Sequence, residues 1–394
     1  MPILSRTFYL FSAIHSFLLG LLPIFIPVIL WDKGLTINDI ATFVALSGVG
    51  FLLALVAWDR LRANSNWRVI IALSFILQML LVGLLVWDAQ WLLLSVGALI
   101  NGAAGCFYWS TQRILFQSIT SNKNSGNTFG NFQIVVVLCL KVGILLGSFL
   151  LDSDYVSTLI FISFSASLVG FYSLNKLLNN SDNLLTITQP PAFSMTEILA
   201  FKDNYRSKSV FMVDGLFLFL ESYFWVLTIY MLTKESLTTL GIVIVALSLL
   251  LAIIFFVIKR VIDNINAQRL FFISILGYAL AWFLRGELSF QDNPLIVYGG
   301  MLLIAFLSSL FRLAFNKRFY DIASVERPIY YILCKSYYSQ FMIIILFALI
   351  ALFVPLTEQP LQQLQQLYYL SIPLVFVYFV YQRKNSVQAI KTPT

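Results

Sequence analysis

Long apolar runs alternate with short polar connections along the whole chain. A helix needs about 20 mostly apolar residues to cross a bilayer, and twelve of the runs come close to or exceed that length. The pattern therefore predicts an all-α polytopic membrane protein with twelve transmembrane helices. The predicted spans lie at roughly 7–30, 36–58, 68–87, 91–113, 127–151, 155–176, 208–232, 236–258, 268–286, 294–316, 329–355 and 363–382.

One connection is much longer than the others. Residues 177–207 separate the sixth span from the seventh and contain Asn, Ser, two prolines and charges of both signs. We therefore predict two six-helix halves, 1–176 and 208–394, joined by a central linker at 177–207. A short amphipathic helix is expected near 194–203 within that linker.

Composition supports a membrane protein. The chain is 60% hydrophobic and 11% charged, and its mean hydropathy is +0.88. A soluble domain is about 45–50% apolar and about 25% charged. The first apolar run is longer than the core of a cleavable signal peptide, about 7–15 residues, so we expect no leader to be removed. The three cysteines lie in or beside apolar runs and suggest no disulfide framework.

The positive charges are distributed unevenly between the two sets of loops. With the N-terminus placed in the cytoplasm, 19 of the 25 Lys and Arg residues fall on the cytoplasmic side. Three fall on the opposite side, namely Lys33, Lys234 and Arg285, and three lie within spans. Because positive residues favour cytoplasmic loops, both termini are expected in the cytoplasm, and the membrane is expected to be a bacterial inner membrane. This bias also accounts for the net charge of +7 without a nucleic-acid partner.

The loop after the second span carries a recognisable motif, and the two halves match weakly. "WDRLRANSNWR" (58–68) and "IDNINAQR" (262–269) each place an aspartate at a helix exit and an arginine at the next helix entry. The ends of the fourth and tenth spans also align, for example Phe116 with Tyr320. Internal repeats of this kind are common in transporters, whose substrate site lies at the repeat interface.

This organisation resembles the major facilitator superfamily. The family's loop between helices two and three reads close to G-x-x-x-D-R-x-G-R-R; Asp59, Arg60 and Arg62 fit it, whereas Leu55 stands in place of the glycine. In the fifth span, "KVGILLGSF" keeps the glycines of the family's antiporter signature at 143 and 147 but lacks its proline and its G-G pair.

The resemblance implies a fold and a pathway. Helices 1, 4, 7 and 10 would line a central cavity, helices 2, 5, 8 and 11 would lie beside them, and helices 3, 6, 9 and 12 would face lipid. The two halves would rock around a site at the midplane. Asp59 and Arg60, together with Asp263 in the matching loop of the second half, would form a conformational latch.

Ionisable residues inside the spans are the first candidates for function, because each costs about 2.5–3.5 kcal/mol to insert. Lys141 and Glu221 lie near the midplane of spans five and seven, and we expect them to pair across the cavity or to contact a solute or a coupling proton. None of the residues in this class falls on helices 3, 6, 9 or 12. The class comprises His15, Lys141, Asp214, Glu221, Arg312 and Lys335.

Each candidate is expected to take one of two roles. Glu221, Asp214 and His15 would carry the coupling proton. The others would bind substrate, through positive charge, the polar face of span four or aromatic rings: Lys141, Arg312, Lys335, Asn101, Tyr108, Gln112, Trp225 and Tyr338. Structural alternatives remain open. Arg312 and Lys335 could reach the membrane surface or pair with Asp214 as a lock, His15 could be a packing residue, and Tyr338 could be an ordinary interface aromatic.

Sequence signals for enzymatic chemistry are absent. The chain has no glycine loop for phosphate, no nucleophile elbow and no haem or metal-ligand motif, and it has a single histidine. We therefore expect no enzyme activity, no cofactor and no metal site.

The charges within the spans add up to +1, which favours an anionic solute. The leading hypothesis is a monomeric secondary-active transporter in the lipid bilayer that moves a small organic anion or zwitterion by alternating access, coupled to protons. The first alternative is proton-driven export of a hydrophobic compound or siderophore-like product. The second is a transporter-like sensor or assembly protein that moves nothing.

Overall fold

The computed structural model is a bundle of long helices that run back and forth along one axis. It describes residues 3–87, 89–119, 125–179, 190–264, 266–291, 293–325, 327–353 and 359–382, with side chains for all of these except 3, 125–133, 179, 258–264, 325 and 382. Within the described residues, twelve helices are long and apolar enough to cross a membrane. The twelve spans predicted from the sequence are thereby confirmed.

We label these helices α1 to α12. Three of them are interrupted by a short turn of a different helix type, and the last ends in a 3₁₀ turn. Their bounds are α1, Ile3–Leu21 and Ile26–Asp32; α2, Ile37–Ala63; α3, Trp67–Val86; α4, Gln90–Leu92 and Ala98–Ile119; α5, Ser125–Asp152; α6, Val156–Asn179; α7, Ser207–Phe219 and Trp225–Leu232; α8, Leu237–Asn264; α9, Ala267–Leu288; α10, Pro294–Val325; α11, Pro328–Phe353; α12, Pro360–Val375 with Phe376–Gln382.

The described part of the linker folds onto one end of the bundle, which we call the linker end; the other is the far end. It contains one short helix, Met195–Leu199, inside the region where a helix was expected. The Ser194 side chain caps this helix by accepting a hydrogen bond from the backbone N–H of Glu197. The Glu197 carboxylate in turn accepts a hydrogen bond from the backbone N–H of Ser194. These hydrogen bonds hold the pKa of Glu197 below its usual value, because they stabilise the charged carboxylate.

Two of the interruptions are π turns, in which the helix is locally widened by one residue. One spans Leu93–Gly97 in α4, and the other spans Leu220–Phe224 in α7. Such turns occur frequently at functional sites. The turn in α7 contains Glu221, one of the two residues expected near the midplane.

Glycine allows α5 to pack directly on α1. A Cβ atom added at Gly143 or Gly147 would collide with a backbone carbonyl of α1, that of Phe17 or Leu21. Small residues at such crossings let helix backbones approach closely, which is how helices associate inside a membrane. The two glycines of the fifth span therefore have a packing role.

The two halves contact each other at both ends of the bundle. At the far end, the hydroxyl of Tyr230 on α7 donates a hydrogen bond of 3.0 Å to Asp32 on α1. At the linker end, the rings of Phe116 on α4 and Tyr320 on α10 meet at 5.6 Å. These two aromatic residues occupy matching positions in the aligned halves, so the repeat places them against each other. Along the bundle, α2 packs on α11 and α5 packs on α8.

The glycine crossing can be tested by adding one methyl group. Gly147→Ala should lower the melting temperature of the purified protein, since overpacking costs about 1–3 kcal/mol. The matched control is Gly83→Ala on α3, where an added Cβ meets nothing within 4 Å. It should leave the melting temperature unchanged or raise it slightly, because alanine favours helix over glycine. Equal melting temperatures for the two variants would contradict the close approach of α1 and α5.

Candidate functional site

Five charged side chains form a connected series along α7, which we call the charge ladder. Starting nearest the linker end, Lys335 on α11 and Arg312 on α10 both pair with Asp214, at 3.0 Å and 2.8 Å. Arg312 also contacts Glu221 at 3.3 Å. The other carboxylate oxygen of Glu221 pairs with Arg285 on α9, again at 3.3 Å. All five residues belong to the C-terminal half.

The spacing along α7 explains why both acids join one series. Asp214 and Glu221 are seven residues apart, so they lie on nearly the same helix face, separated by about 10 Å of rise. Arg312 is long enough to contact both. The pairing of Asp214 that the sequence left open is thus present with both Arg312 and Lys335.

Neutral donors and acceptors complete the contacts of the ladder. The hydroxyl of Tyr378 donates to Asp214 at 2.9 Å, and Arg285 donates to the hydroxyl of Ser308 at 2.9 Å. Burial of a charge is tolerated when it is paired and hydrogen-bonded. Tyr378 belongs to α12 and Arg285 to α9, so two helices expected to face lipid contribute to this site.

The ladder is most exposed at Arg312 and Glu221. The side chains of these two residues are 21% and 19% exposed, whereas those of Lys335, Asp214 and Arg285 are 12%, 7% and 2% exposed. With three positive and two negative groups, the ladder carries a formal charge of +1. The ladder as a whole is therefore net positive, and its most accessible part lies at Arg312 and Glu221.

Arg285 is the principal residue that sequence reasoning missed. Sequence analysis counted Arg285 with the loop residues of the side opposite the cytoplasm, whereas the structure buries its side chain inside the bundle near the end of α9. A positive charge near the end of an apolar run is ordinarily expected to reach the membrane surface. The signal that could have found it is the tryptophan three residues earlier, Trp282, which lies 4.2 Å from the guanidinium.

The pairing expected between Lys141 and Glu221 is not present among the described residues. Glu221 contacts two arginines of its own half, and no hydrogen bond or ion pair joins Lys141 to any other described residue. Lys141 is half-buried on α5, and its neighbours Leu138 and Val142 are exposed. In this conformation Arg285 and Arg312 supply the positive charge next to Glu221. Contact of Lys141 with a solute, or with Glu221 in another state, stays a prediction.

The polar face of α4 is divided between two environments. Asn101 donates to Ser47 at 3.0 Å and to the hydroxyl of Tyr223 in the π turn of α7, at 3.1 Å. Gln112 instead donates to Tyr108, at 2.7 Å, within the N-terminal half. Of these three predicted substrate ligands, only Asn101 contacts the helix that carries the acids, within the part of the chain that the structure describes.

His15 is packed among aromatic rings rather than next to the acids. Its ring stacks on Tyr108 at 4.9 Å, with an interplanar angle of 8°, and lies 4.3 Å from the rings of Phe11 and Phe75. Its Nδ1 atom lies 3.1 Å from the carbonyl of Phe11. No contact joins it to Asp214 or Glu221 in the part of the chain that the structure describes, so the packing alternative fits it better than proton coupling.

The two predicted aromatic ligands lie in different places. Trp225 borders the ladder, with its ring 5.4 Å from the Arg285 guanidinium. Tyr338 instead holds the linker: its hydroxyl donates to the carbonyl of Ile198 at 2.9 Å, and Lys208 lies 4.8 Å over its ring. The expectation that Tyr338 binds substrate is therefore not supported by its position.

The predicted latch has a different arginine from the one expected. Asp59 pairs with Arg62 at 2.7 Å, and both are buried, whereas Arg60 is exposed. Spacing explains the exchange, because Arg62 lies three residues after Asp59, on the same helix face. The side chain of Asp263 lies outside the described residues.

The linker joins this buried pair to the other half. Arg62 donates to the carbonyl of Pro190 at 3.1 Å, and Asp59 accepts the backbone N–H of Phe193 at 2.8 Å. The Phe193 ring then contacts Tyr330 on α11 at 5.1 Å. Residues 190–201 therefore form a strap from α2 to α11 at the linker end.

Among the described residues, no group of three or more His, Cys, Asp or Glu side chains is arranged to hold a metal ion. The chemistry that the ladder offers is the binding of anions and the exchange of a proton at a carboxylate.

The fold is shared with solved transporters. The nucleoside transporter NupG matches with a TM-score of 0.66 at 13% identity, over 97% of this chain and 100% of that chain. A bacterial homologue of the iron transporter ferroportin in an inward-facing state matches with a TM-score of 0.63 at 13% identity, over 97% and 98%. A bacterial metal transporter matches at 0.57 and 14%, over 96% and 97%.

Sequence comparison identifies the family. No curated protein matches the chain. The family model described as Major Facilitator Superfamily matches residues 8–327, which is most of the chain. Together with twelve membrane-spanning helices and transporter folds among the solved structures, this match shows that the chain belongs to the major facilitator superfamily.

Proposed function

We propose that this protein is a secondary-active transporter that moves a small organic anion or zwitterion by alternating access, coupled to protons. The observation that carries the proposal is the charge ladder, a buried series with a net charge of +1 that opens at Arg312 and Glu221. Intramembrane charges are costly and mark substrate or ion pathways. The similar solved structures are named as nucleoside or metal transporters. At 13–14% identity they support the fold alone, so the proposed solute class rests on the charge ladder.

The sign of the ladder favours an anionic group on the solute. A site for a lipophilic cation would be expected to present acids without matching positive groups, whereas here three positive groups surround two acids. Among the predicted substrate ligands, Arg312 lies at the opening, while Lys335 lies deeper on Asp214. Asn101 and Trp225 lie at the border of the same region.

Of the two acids, Glu221 suits a coupling proton better. Asp214 is held by Lys335, Arg312 and Tyr378 and is nearly closed off from solvent. Glu221 makes longer contacts, of 3.3 Å, and is more open. A carboxylate with weaker pairing and access to water can take up and release a proton without leaving a fully buried charge unpaired.

The halves at 1–176 and 208–394 would rock around the ladder, with the linker at 177–207 controlling one end. The excess of Lys and Arg in the loops of the linker end supports a cytoplasmic location for that end. The pair of Asp59 and Arg62 then acts as the latch, since the strap at 190–201 bonds to it and to α11. Opening of the linker end requires these contacts to break.

Proton coupling can be tested in proteoliposomes. A panel of labelled organic acids is added to the external solution, and a pH gradient is imposed across the membrane. Glu221→Gln should abolish accumulation driven by the gradient while leaving exchange of solute across the membrane in place, because the glutamine cannot carry a proton. The control is Glu235→Gln in an exposed loop, which should accumulate solute like the wild type. Gradient-driven accumulation by Glu221→Gln at the wild-type rate would contradict the proposal.

The latch can be tested through Cys334, which is fully buried on α11 near the linker end. In a Cys106→Ser, Cys139→Ser background, Asp59→Asn should speed the labelling of Cys334 by a maleimide, because it leaves Arg62 without its ion-pair partner. Removing one member of a buried pair costs about 3–5 kcal/mol. Arg60→Gln changes an exposed charge on the same turn and should label at the background rate. Equal labelling rates for the two variants would argue against the latch.

A further inference from the structure

Arg285 has more hydrogen-bond donors than the surrounding protein uses. Its Nη2 atom donates to Glu221 and to Ser308. Its Nε and Nη1 atoms are buried and have no hydrogen-bond partner among the described residues, and the same is true of Nε1 of Trp282. A buried donor without a partner costs about 1–3 kcal/mol, and such groups call for a specific explanation such as a bound ion or ligand.

The surroundings of Arg285 suit an anion with an apolar body. Its guanidinium lies 4.2 Å from the Trp282 ring and 5.4 Å from the Trp225 ring. Tyr368 closes the group, with its ring 5.8 Å from Trp282 and 6.2 Å from Trp225. Apolar walls around a charged group lower the local dielectric constant and strengthen its attraction for an opposite charge.

The carboxylate of Glu221 is shared by two arginines. One oxygen contacts Arg285 and the other contacts Arg312, both at 3.3 Å, which is longer than the usual 2.7–2.9 Å or so of a charge-assisted hydrogen bond. A single carboxylate is therefore paired with two guanidinium groups through long contacts. A second carboxylate, on a solute, would meet unused donors on Arg285 and could replace the contacts of Glu221.

We propose that Arg285 and Arg312 bind the carboxylate of an organic acid that has an apolar body, and that the solute displaces the Glu221 carboxylate from both arginines. The displaced Glu221 loses its two positive neighbours and becomes the group that accepts the coupling proton. Trp225, Trp282 and Tyr368, which are buried around Arg285 in this conformation, border the position of the apolar body. This inference rests on the proposed transport function and deepens it, because it names the solute class and the event that links solute to proton.

The proposed displacement predicts the direction in which Glu221→Gln changes the affinity for a carboxylate solute. If Glu221 competes with the solute, Glu221→Gln must strengthen the binding of a carboxylate, since it removes the competing charge and leaves both arginines in place. If Glu221 instead bound a positive group of the solute, the same substitution would weaken binding. Arg285→Gln must weaken binding by about tenfold or more, the contribution of a charged hydrogen bond. Arg285→Lys keeps the charge and should retain part of the affinity.

The experiment measures binding to the full-length protein in lipid nanodiscs at neutral pH without any gradient, by thermal shift and tryptophan fluorescence. The probes are phenylacetate, 3-phenylpropanoate and indole-3-acetate, each compared with its uncharged primary amide. The matched control is Arg269→Gln, an exposed arginine at the start of the same helix. We expect at least one acid to bind where its amide does not, with tighter binding to Glu221→Gln, weaker binding to Arg285→Gln and unchanged binding to Arg269→Gln.

Three results would overturn the inference: no acid binds in preference to its amide, Arg285→Gln binds like the wild type, or Glu221→Gln binds more weakly. Failure of the transport proposal is distinguishable, because it would appear in proteoliposomes as a lack of solute movement while binding still followed the pattern above. Conversely, transport that is insensitive to Arg285→Lys and Arg285→Gln would leave the function intact and remove this site. The melting temperature of each variant without ligand separates loss of binding from loss of folding.

Discussion

The structure of the C-terminal half depends on the mutual neutralisation of five charges inside an apolar bundle. An isolated ion in such surroundings is strongly destabilised, so each charge requires its neighbours. Asp214 pairs with Lys335 and Arg312. Glu221 pairs with Arg312 and Arg285. The helices that carry these groups, α7, α9, α10 and α11, are thereby fixed relative to one another. Because three positive groups share two carboxylates, the series keeps a formal charge of +1.

Much of the fold could be predicted from the sequence, because hydropathy alone determines where a chain crosses a bilayer. The site could be predicted only in part. Asp214 and Glu221 stand out as acids within apolar spans, and their spacing of seven residues places them on one face. Arg285 was missed because a charge three residues from the end of a helix is equally compatible with the membrane surface, and only the tertiary packing of Trp282 and Trp225 against it turns it inward.

The pairing expected between Lys141 and Glu221 is absent from the described contacts for a similar reason. Sequence reasoning matched the depths of Lys141 and Glu221 along their helices, but depth does not determine which face of a helix meets which neighbour. Once Arg285 is placed inside the bundle, Glu221 has two positive partners within its own half and needs no third from α5. Similarly, Arg60 and Arg62 are both compatible with the family motif, and only Arg62 lies on the helix face of Asp59.

The π turn of α7 links the ladder to the contact between the halves. Below the turn, the described side-chain contacts of α7 go to its own half, through Asp214 to Lys335 and Arg312. The hydrogen bonds from α7 to the N-terminal half come from the turn or from beyond it, through Tyr223 to Asn101 and Tyr230 to Asp32. Glu221 lies in the same turn, two residues before Tyr223. A change in the pairing of Glu221 would act on the segment through which α7 is hydrogen-bonded to the other half. In the proposed function, this is the physical route from solute binding to movement of the two halves.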